Sequence, residues 1–251
     1  MIRLGIFIGL AVSLATVAHG EEVQVAVAAN FVAPMQQISA GFKERSGHQI
    51  SIISGATGKF YAQIKAGAPF EILLAADVAT AAKLVAEGDA VANTSFTYAI
   101  GKLVLWSARE NFVADGVDLL KRATFDHIAV ANPKLAPYGA AAEQTLKTLG
   151  DYDALAAKIV HGENIAQTYQ FVATGNAELG LVALSQVIDE NGKLKSGSMW
   201  IVPQKFYTPL RQNAVLLNKG AERAAAKAFM AYLQSEPARR IIERYGYGLP
   251  P

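Results

Sequence analysis

Apolar runs rich in Val and Ile alternate with helical patterns along almost the whole chain, and this alternation limits the possible folds more than any other feature. The spacing predicts strands over 23–29, 49–54, 71–75, 103–107, 128–131, 179–183, 200–202 and 214–217. It predicts helices over 32–46, 58–66, 79–87, 119–123, 138–149, 154–157, 165–174, 221–234 and 236–245. Strands that alternate with helices give an α/β protein with largely parallel sheets and helices on both faces. Hydrophobic residues make up 52% and charged residues 18%, which suits a well-packed globular chain and argues against disorder.

Four stretches leave a predicted strand and turn straight into a helix through small or hydroxyl-bearing residues: "VAVAANF" (25–31), "SGATGKF" (54–60), "PYGAAAE" (137–143) and "HGENIAQ" (161–167). A helix start presents N–H groups with no internal partner and the positive end of the helix dipole. Several starts aimed at one point make an anion cage without a charged side chain. Sheets of this kind bind ligands beyond the carboxyl ends of their strands, where all four stretches lie.

Two of the turns precede residue 60 and two follow residue 136, so a shared site requires two lobes facing across a cleft. No Pro- or Gly-rich linker divides the chain, so crossing strands are expected to join the lobes, at "GKLVLWSA" (101–108) and "RQNAVLLN" (211–218). The expected division is 21–103 plus 214–251 for the first lobe and 104–213 for the second.

The opening "MIRLGIFIGLAVSLATVAHG" has Arg3, a short apolar run and small residues at a plausible cleavage point. It reads as a signal peptide over 1–20 and predicts export to the periplasm. The run falls short of the roughly 20 residues that span a bilayer. With no Cys in the chain, neither disulfides nor a lipid-anchored cysteine enter the argument. The net charge of +2 gives no support to nucleic-acid or membrane-surface binding.

Each turn residue has two readings. Asn30 either caps its own helix or donates its amide to an oxyanion. Thr57 caps by position, and its hydroxyl can also donate outward. Gly55 and Gly58 let a ligand approach the backbone closely; a Walker loop is excluded by the spacing before Lys59. Tyr138, after Pro137, offers a phenol or only its N–H. Asn164 is placed as a cap, and Ile165 has only its N–H to give.

The chain resembles the periplasmic molybdate-binding proteins of ABC importers over essentially its whole mature length. The likeness rests on "AAN", "SGATGKFYAQIKAGAPFEILLAAD", "ANPKLAPYGAAAEQTLKTLG", "GENIAQTYQFVATGNAELGLVALSQV" and "AFMAYLQSEPARRIIERYGYGLP". The resemblance implies a two-lobed type II periplasmic-binding-protein fold and binding of molybdate, and of tungstate as well. By position it places the ligand contacts on Asn30, Thr57, Tyr138 and Ile165, with Ala29 expected to add its backbone N–H. It also implies an ABC permease as partner, a monomer, no cofactor, and molybdenum held only as the oxyanion without direct protein ligands. The sequence departs where some members carry a Tyr: "LGLVALSQV" has Ala183 in that slot.

A fully deprotonated tetrahedral dianion only accepts hydrogen bonds, and these turns offer donors. Phosphate near neutral pH carries a proton, and no turn puts a carboxylate at its tip; Glu163 is nearest and is expected to face solvent. An unpaired proton would cost about 1–3 kcal/mol. Sulfate is excluded by neither charge nor donors, so a receptor for sulfate or another tetrahedral oxyanion is the alternative.

Other chemistry finds little support. His19, His48, His127 and His161 lack ligand spacing. Asp77 reads as a cap, Ser196 and Ser198 as loop, Tyr207 as packing, and Arg239, Arg240 and Arg244 as a solvated face or docking surface. A hydrolase or transferase would need a nucleophile–base pair, and a regulator a helix-turn-helix; the sequence offers neither. The expectation is a binding protein and not an enzyme.

Overall fold

A computed structural model describes residues 20–250, so the expected signal peptide lies, but for Gly20, outside the described residues. In chain order the strands are β1 (Glu22–Ala28), β2 (Gln49–Gly55), β3 (Ile72–Leu74), β4 (Phe96–Gly101) and β5 (Leu103–Ser107). Then follow β6 (Ile128–Ala131), β7 (Ile159–Gly162), β8 (Leu179–Ala183), β9 (Ser198–Ile201) and β10 (Leu210–Leu216). The first five helices are α1 (Val32–Ser46), α2 (Thr57–Lys65), α3 (Val78–Ala86), α4 (Gly116–Arg122) and α5 (Pro137–Leu149). The remaining ones are α6 (Tyr152–Leu155), α7 (Ile165–Ala173), α8 (Leu184–Val187), α9 (Ala224–Leu233) and α10 (Glu236–Arg244).

The strands form two five-stranded sheets, ordered β2-β1-β3-β10-β4 and β7-β6-β8-β5-β9. In the first, β1 pairs in parallel with β2 and β3, and β10 runs against both β3 and β4. The second repeats the plan: β6 is parallel to β7 and β8, and β5 runs against β8 and β9. One reversed strand in each otherwise parallel sheet marks where the chain crosses over. It leaves the first sheet at Gly101 and enters the second at Leu103, with Lys102 alone between them. It returns between Ile201 and Leu210, and the last two helices finish the first lobe.

Both sheets are covered on both faces, which is why their strands read as near-continuous apolar runs. In β1, Val25 and Val27 pack with Phe31, Met35, Ile38 and Phe229, while Ala26 faces Phe60, Leu73 and Val215. In the second lobe, Leu103, Leu105, Ile128 and Leu181 share one core, and Val104, Trp106, Ala129 and Val182 the other. Fully burying one such large side chain stabilises the fold by about 1.5–3 kcal/mol.

The predicted pattern misses β4, β7 and α8. β7 is four residues with an exposed His161, too short to show a period. The run 96–101 mixes Thr and Tyr with apolar residues, so it hid its strand. β10 starts at Leu210 rather than 214, because Gln212 and Asn213 are polar yet buried. Among the described residues, no helix is long and apolar enough to cross a membrane.

Candidate binding site

The four turns follow β1, β2, β6 and β7, whose pairings are parallel within each lobe, so their carboxyl ends share one edge of each sheet. Those edges meet. Gly58 N–H, in the first turn of α2, donates to Leu135 O, just before α5, at 2.9 Å. A Cβ on Gly58 would stand 3.1 Å from that carbonyl, so glycine permits the approach. Ala28, Ala29 and Ala76 of the first lobe join the same apolar cluster as Ala136, Tyr138 and Ile165 of the second. Asn30, Thr57, Tyr138 and Ile165 are all buried, at 1–3% exposure, and none carries a charge.

Ile165 is the first residue of α7 and is buried. Asn164 Oδ1 caps α7 by accepting from the N–H groups of Ala166 and Gln167, at 2.9 and 3.0 Å. The cap thus satisfies the second and third N–H of the helix and leaves the first, that of Ile165, to point beyond it. Tyr138 lies in the first turn of α5 behind Pro137, so its N–H likewise has no partner inside the helix. Its phenol oxygen accepts from Gln212 Nε2 at 3.3 Å.

The two capping expectations fail. Thr57 is the first residue of α2, behind Ala56, and makes no capping bond. Its Oγ1 accepts from the N–H of Ala76 at 3.0 Å, across to the end of β3, and its own proton has no acceptor among the described residues. Asn30 sits inside a 3-10 turn over Ala29–Phe31 rather than at a cap. Its Nδ2 donates to Gln212 Oε1 at 2.8 Å and to the Tyr247 hydroxyl at 2.9 Å, so both amide hydrogens are spent within the protein. Ala29 opens that turn and is buried beside Ile165.

A polar network that sequence reasoning missed lies behind these residues. Gln212 Oε1 also accepts from Tyr98 at 3.0 Å, and the Tyr98 hydroxyl lies 3.3 Å from Ala75 O. The Tyr247 hydroxyl is 2.7 Å from Asn30 O and 2.9 Å from Ser185 Oγ, and Ser185 donates to Asn30 O at 2.9 Å. Burial pushes the phenols of Tyr98 and Tyr138 well above the ordinary value and that of Tyr247 up to about 12. All three are therefore neutral hydrogen-bonding groups at any physiological pH. The available signal was "RQNAVLL", in which two uncharged polar residues interrupt a strand that is otherwise buried.

Outside this buried layer, a cavity of about 550 Å³ opens between the lobes, lined by Gly58, Ala76, Asp77, Leu135, Pro209 and Arg211 among others. Asp77 spends its carboxylate as the cap of α3, accepting from Thr80 N at 2.6 Å and from Thr80 Oγ1 at 3.2 Å. Arg211 and Lys134 line the cavity and are exposed. Glu163 does not simply face solvent: it pairs with Lys59 of the opposite lobe at 2.6 Å. Tyr207 packs as expected and accepts from Leu103 N at 3.1 Å, where the chain crosses between lobes. Ala183 is buried at the end of β8 and has no side-chain donor. Among the described residues, no group of three or more His, Cys, Asp or Glu could hold a metal ion.

The chain is 55% identical over 236 residues to the Azotobacter vinelandii molybdate-binding protein ModA, covering 94% of this chain and 93% of that one. It is 50% identical over 240 residues to the Rhodobacter capsulatus molybdate-binding protein ModA, covering 96% and 93%. The fold superposes on the Azotobacter vinelandii periplasmic molybdate-binding protein with a TM-score of 0.89 at 40% identity, over 91% of this chain and all of that one. The family model for bacterial extracellular solute-binding proteins matches residues 23–248. This two-lobed chain, a binding protein rather than an enzyme, therefore belongs to the bacterial extracellular solute-binding protein family.

Proposed function

We propose that this protein captures molybdate, and tungstate as well, between its lobes in the periplasm and delivers it to an ABC permease. The observation that carries the reading is the uncharged, buried donor set at the meeting edges of the two sheets: the first-turn N–H groups of Tyr138 and Ile165, the free proton of Thr57, and the turn holding Ala29 and Asn30. The two N–H groups only donate and the Thr57 hydroxyl has its proton to give, which matches an anion that only accepts. Molybdenum is held as its oxyanion, with no bond from protein to metal and no cofactor.

Phosphate near neutral pH brings a proton that needs an acceptor, and the nearest carboxylates are committed, Asp77 to Thr80 and Glu163 to Lys59. Sulfate brings no proton, so only the size of the cage separates it from molybdate. Ligand binding and lobe closure are one equilibrium, because the ligand's contacts come from both lobes. The protein acts as a monomer and has no nucleic-acid partner.

Equilibrium dialysis against molybdate with increasing sulfate tests the assignment, with protein-bound molybdenum counted directly. Retention of molybdate against a large excess of sulfate is expected. Displacement by equimolar sulfate would move the assignment to a general oxyanion receptor.

A further inference from the structure

The side chain of Gln212 is fully buried and reaches residues of both lobes. It stands on β10, where the pairing with β4 slips register between Gln212 and Asn213. Such an irregularity re-aims side chains. Its amide reaches Asn30 and Tyr98 in the first lobe and Tyr138 in the second. It therefore touches two of the residues assigned to the oxyanion, one from each lobe, without belonging to a ligand turn itself.

In the hydrogen-bond order seen here, Asn30 gives both amide hydrogens to Gln212 and Tyr247, and its Oδ1 takes no bond among the described residues. An oxyanion beside that Oδ1 would be repelled. A second order uses the same heavy-atom positions. If both amides turn over, Gln212 Nε2 donates to Asn30 Oδ1 over the 2.8 Å contact and to the Tyr98 hydroxyl over the 3.0 Å contact. Tyr98 then donates to Ala75 O, and Tyr138 donates to Gln212 Oε1. Tyr247 and Ser185 keep acceptors in the Asn30 carbonyl and amide oxygens. Every partner remains satisfied, and the Asn30 NH₂ is released where Oδ1 stood.

We infer that Gln212 is a positioning residue for oxyanion capture: its amide turns over together with that of Asn30, so that the first turn presents a donor to the ligand while Tyr138 stays bonded across the hinge. The inference rests on the oxyanion reading above. It requires a side chain that both donates and accepts. A carboxylate at 212 only accepts, so it would hold the Asn30 NH₂ and add a negative charge beside the dianion; a thioether does neither.

The test is molybdate calorimetry on the full mature chain and on its Gln212→Glu and Gln212→Met variants, each checked for folding by thermal melting. The groups facing position 212 are Asn30, Tyr98, Tyr138 and Tyr247, with Asp77 acting on Tyr98; the phenols are neutral throughout the range used. A protonated Glu restores one donor and one acceptor. At about pH 6 the Glu variant is expected to bind about tenfold or more tighter than the Met variant, and the gap is expected to narrow towards about pH 9. Met and Glu variants equal at every pH, or a Met variant within about twofold of wild type, would overturn the inference. Wild type that fails to bind molybdate would instead overturn the oxyanion reading. Should the variants not fold, the wild-type chain decides by NMR: the Asn30 side-chain NH₂ resonances shift on molybdate addition, and unmoved resonances refute the turnover.

Discussion

Gly58 and Leu135 lie on opposite lobes, and the N–H of the first donates to the carbonyl of the second at 2.9 Å. This backbone bond joins the helix start after β2 to the loop that opens α5, so two of the four donor turns are held together by the main chain. On the proposed reading, a ligand with contacts on both lobes shifts the protein towards the form in which these turns meet.

Thr57 tests the donor set most simply. Its oxygen holds the Ala76 N–H and its proton has no acceptor among the described residues, so Thr57→Ala removes one donor and orphans another. Molybdate affinity is expected to fall by about 0.5–3 kcal/mol. Thr57→Ser, which keeps the hydroxyl, is expected to bind close to wild type. Calorimetry reads both, and an Ala variant of unchanged affinity would remove Thr57 from the site.

The Lys59–Glu163 pair bridges the lobes but is about half exposed, with side chains at 44% and 50%. Solvent screening limits such a pair to about 1 kcal/mol or less. Lys59→Ala is expected to weaken molybdate binding by no more than about fivefold, with the difference shrinking as salt rises. A large loss that persists in high salt would make Lys59 part of the anion site.

Gly101, where the first crossing leaves the first sheet, gives room to the hinge network. A Cβ there would fall 2.1 Å from the Tyr138 hydroxyl and 2.8 Å from Gln212 Nε2. Gly101→Ala is expected to destabilise the fold by about 1–3 kcal/mol in urea unfolding, the usual cost of overpacking. Molybdate affinity should drop with it, because the displaced groups belong to Asn30's network. Unchanged stability would mean that Tyr138 lies elsewhere.

The legible part of this site was the local part. Pro137 opening α5, Asp77 capping α3 and Asn164 capping α7 all act within a few residues of themselves, and each stands where the sequence put it. The same logic offers a cap as one of two readings for Asn30 and Thr57, yet their partners are distant: Ala76 is 19 residues from Thr57, and Gln212 is 182 from Asn30. No periodicity carries such a pairing. β10 was shortened for a related reason, since Gln212 and Asn213 look like loop residues until their buried partners are known.

Alkali should weaken the fold through Tyr247. Its proton is held more tightly in the folded chain, with a pKa of about 12, than in the unfolded one, where it is an ordinary phenol. The contribution is full below about pH 10 and is lost as pH rises through about 12. Tyr98 and Tyr138 are shifted in the same direction. Tyr247→Phe is expected to flatten part of the decline in urea midpoint over that window; an unaltered slope would mean that Tyr247 titrates normally.

The central claim is that neutral amide and hydroxyl donors from both lobes surround one fully deprotonated dianion. Titration calorimetry of the mature chain with molybdate and then with phosphate near neutral pH tests it most directly. Tight molybdate binding and far weaker phosphate binding are expected, while equal affinities for the two would contradict a donor-only site.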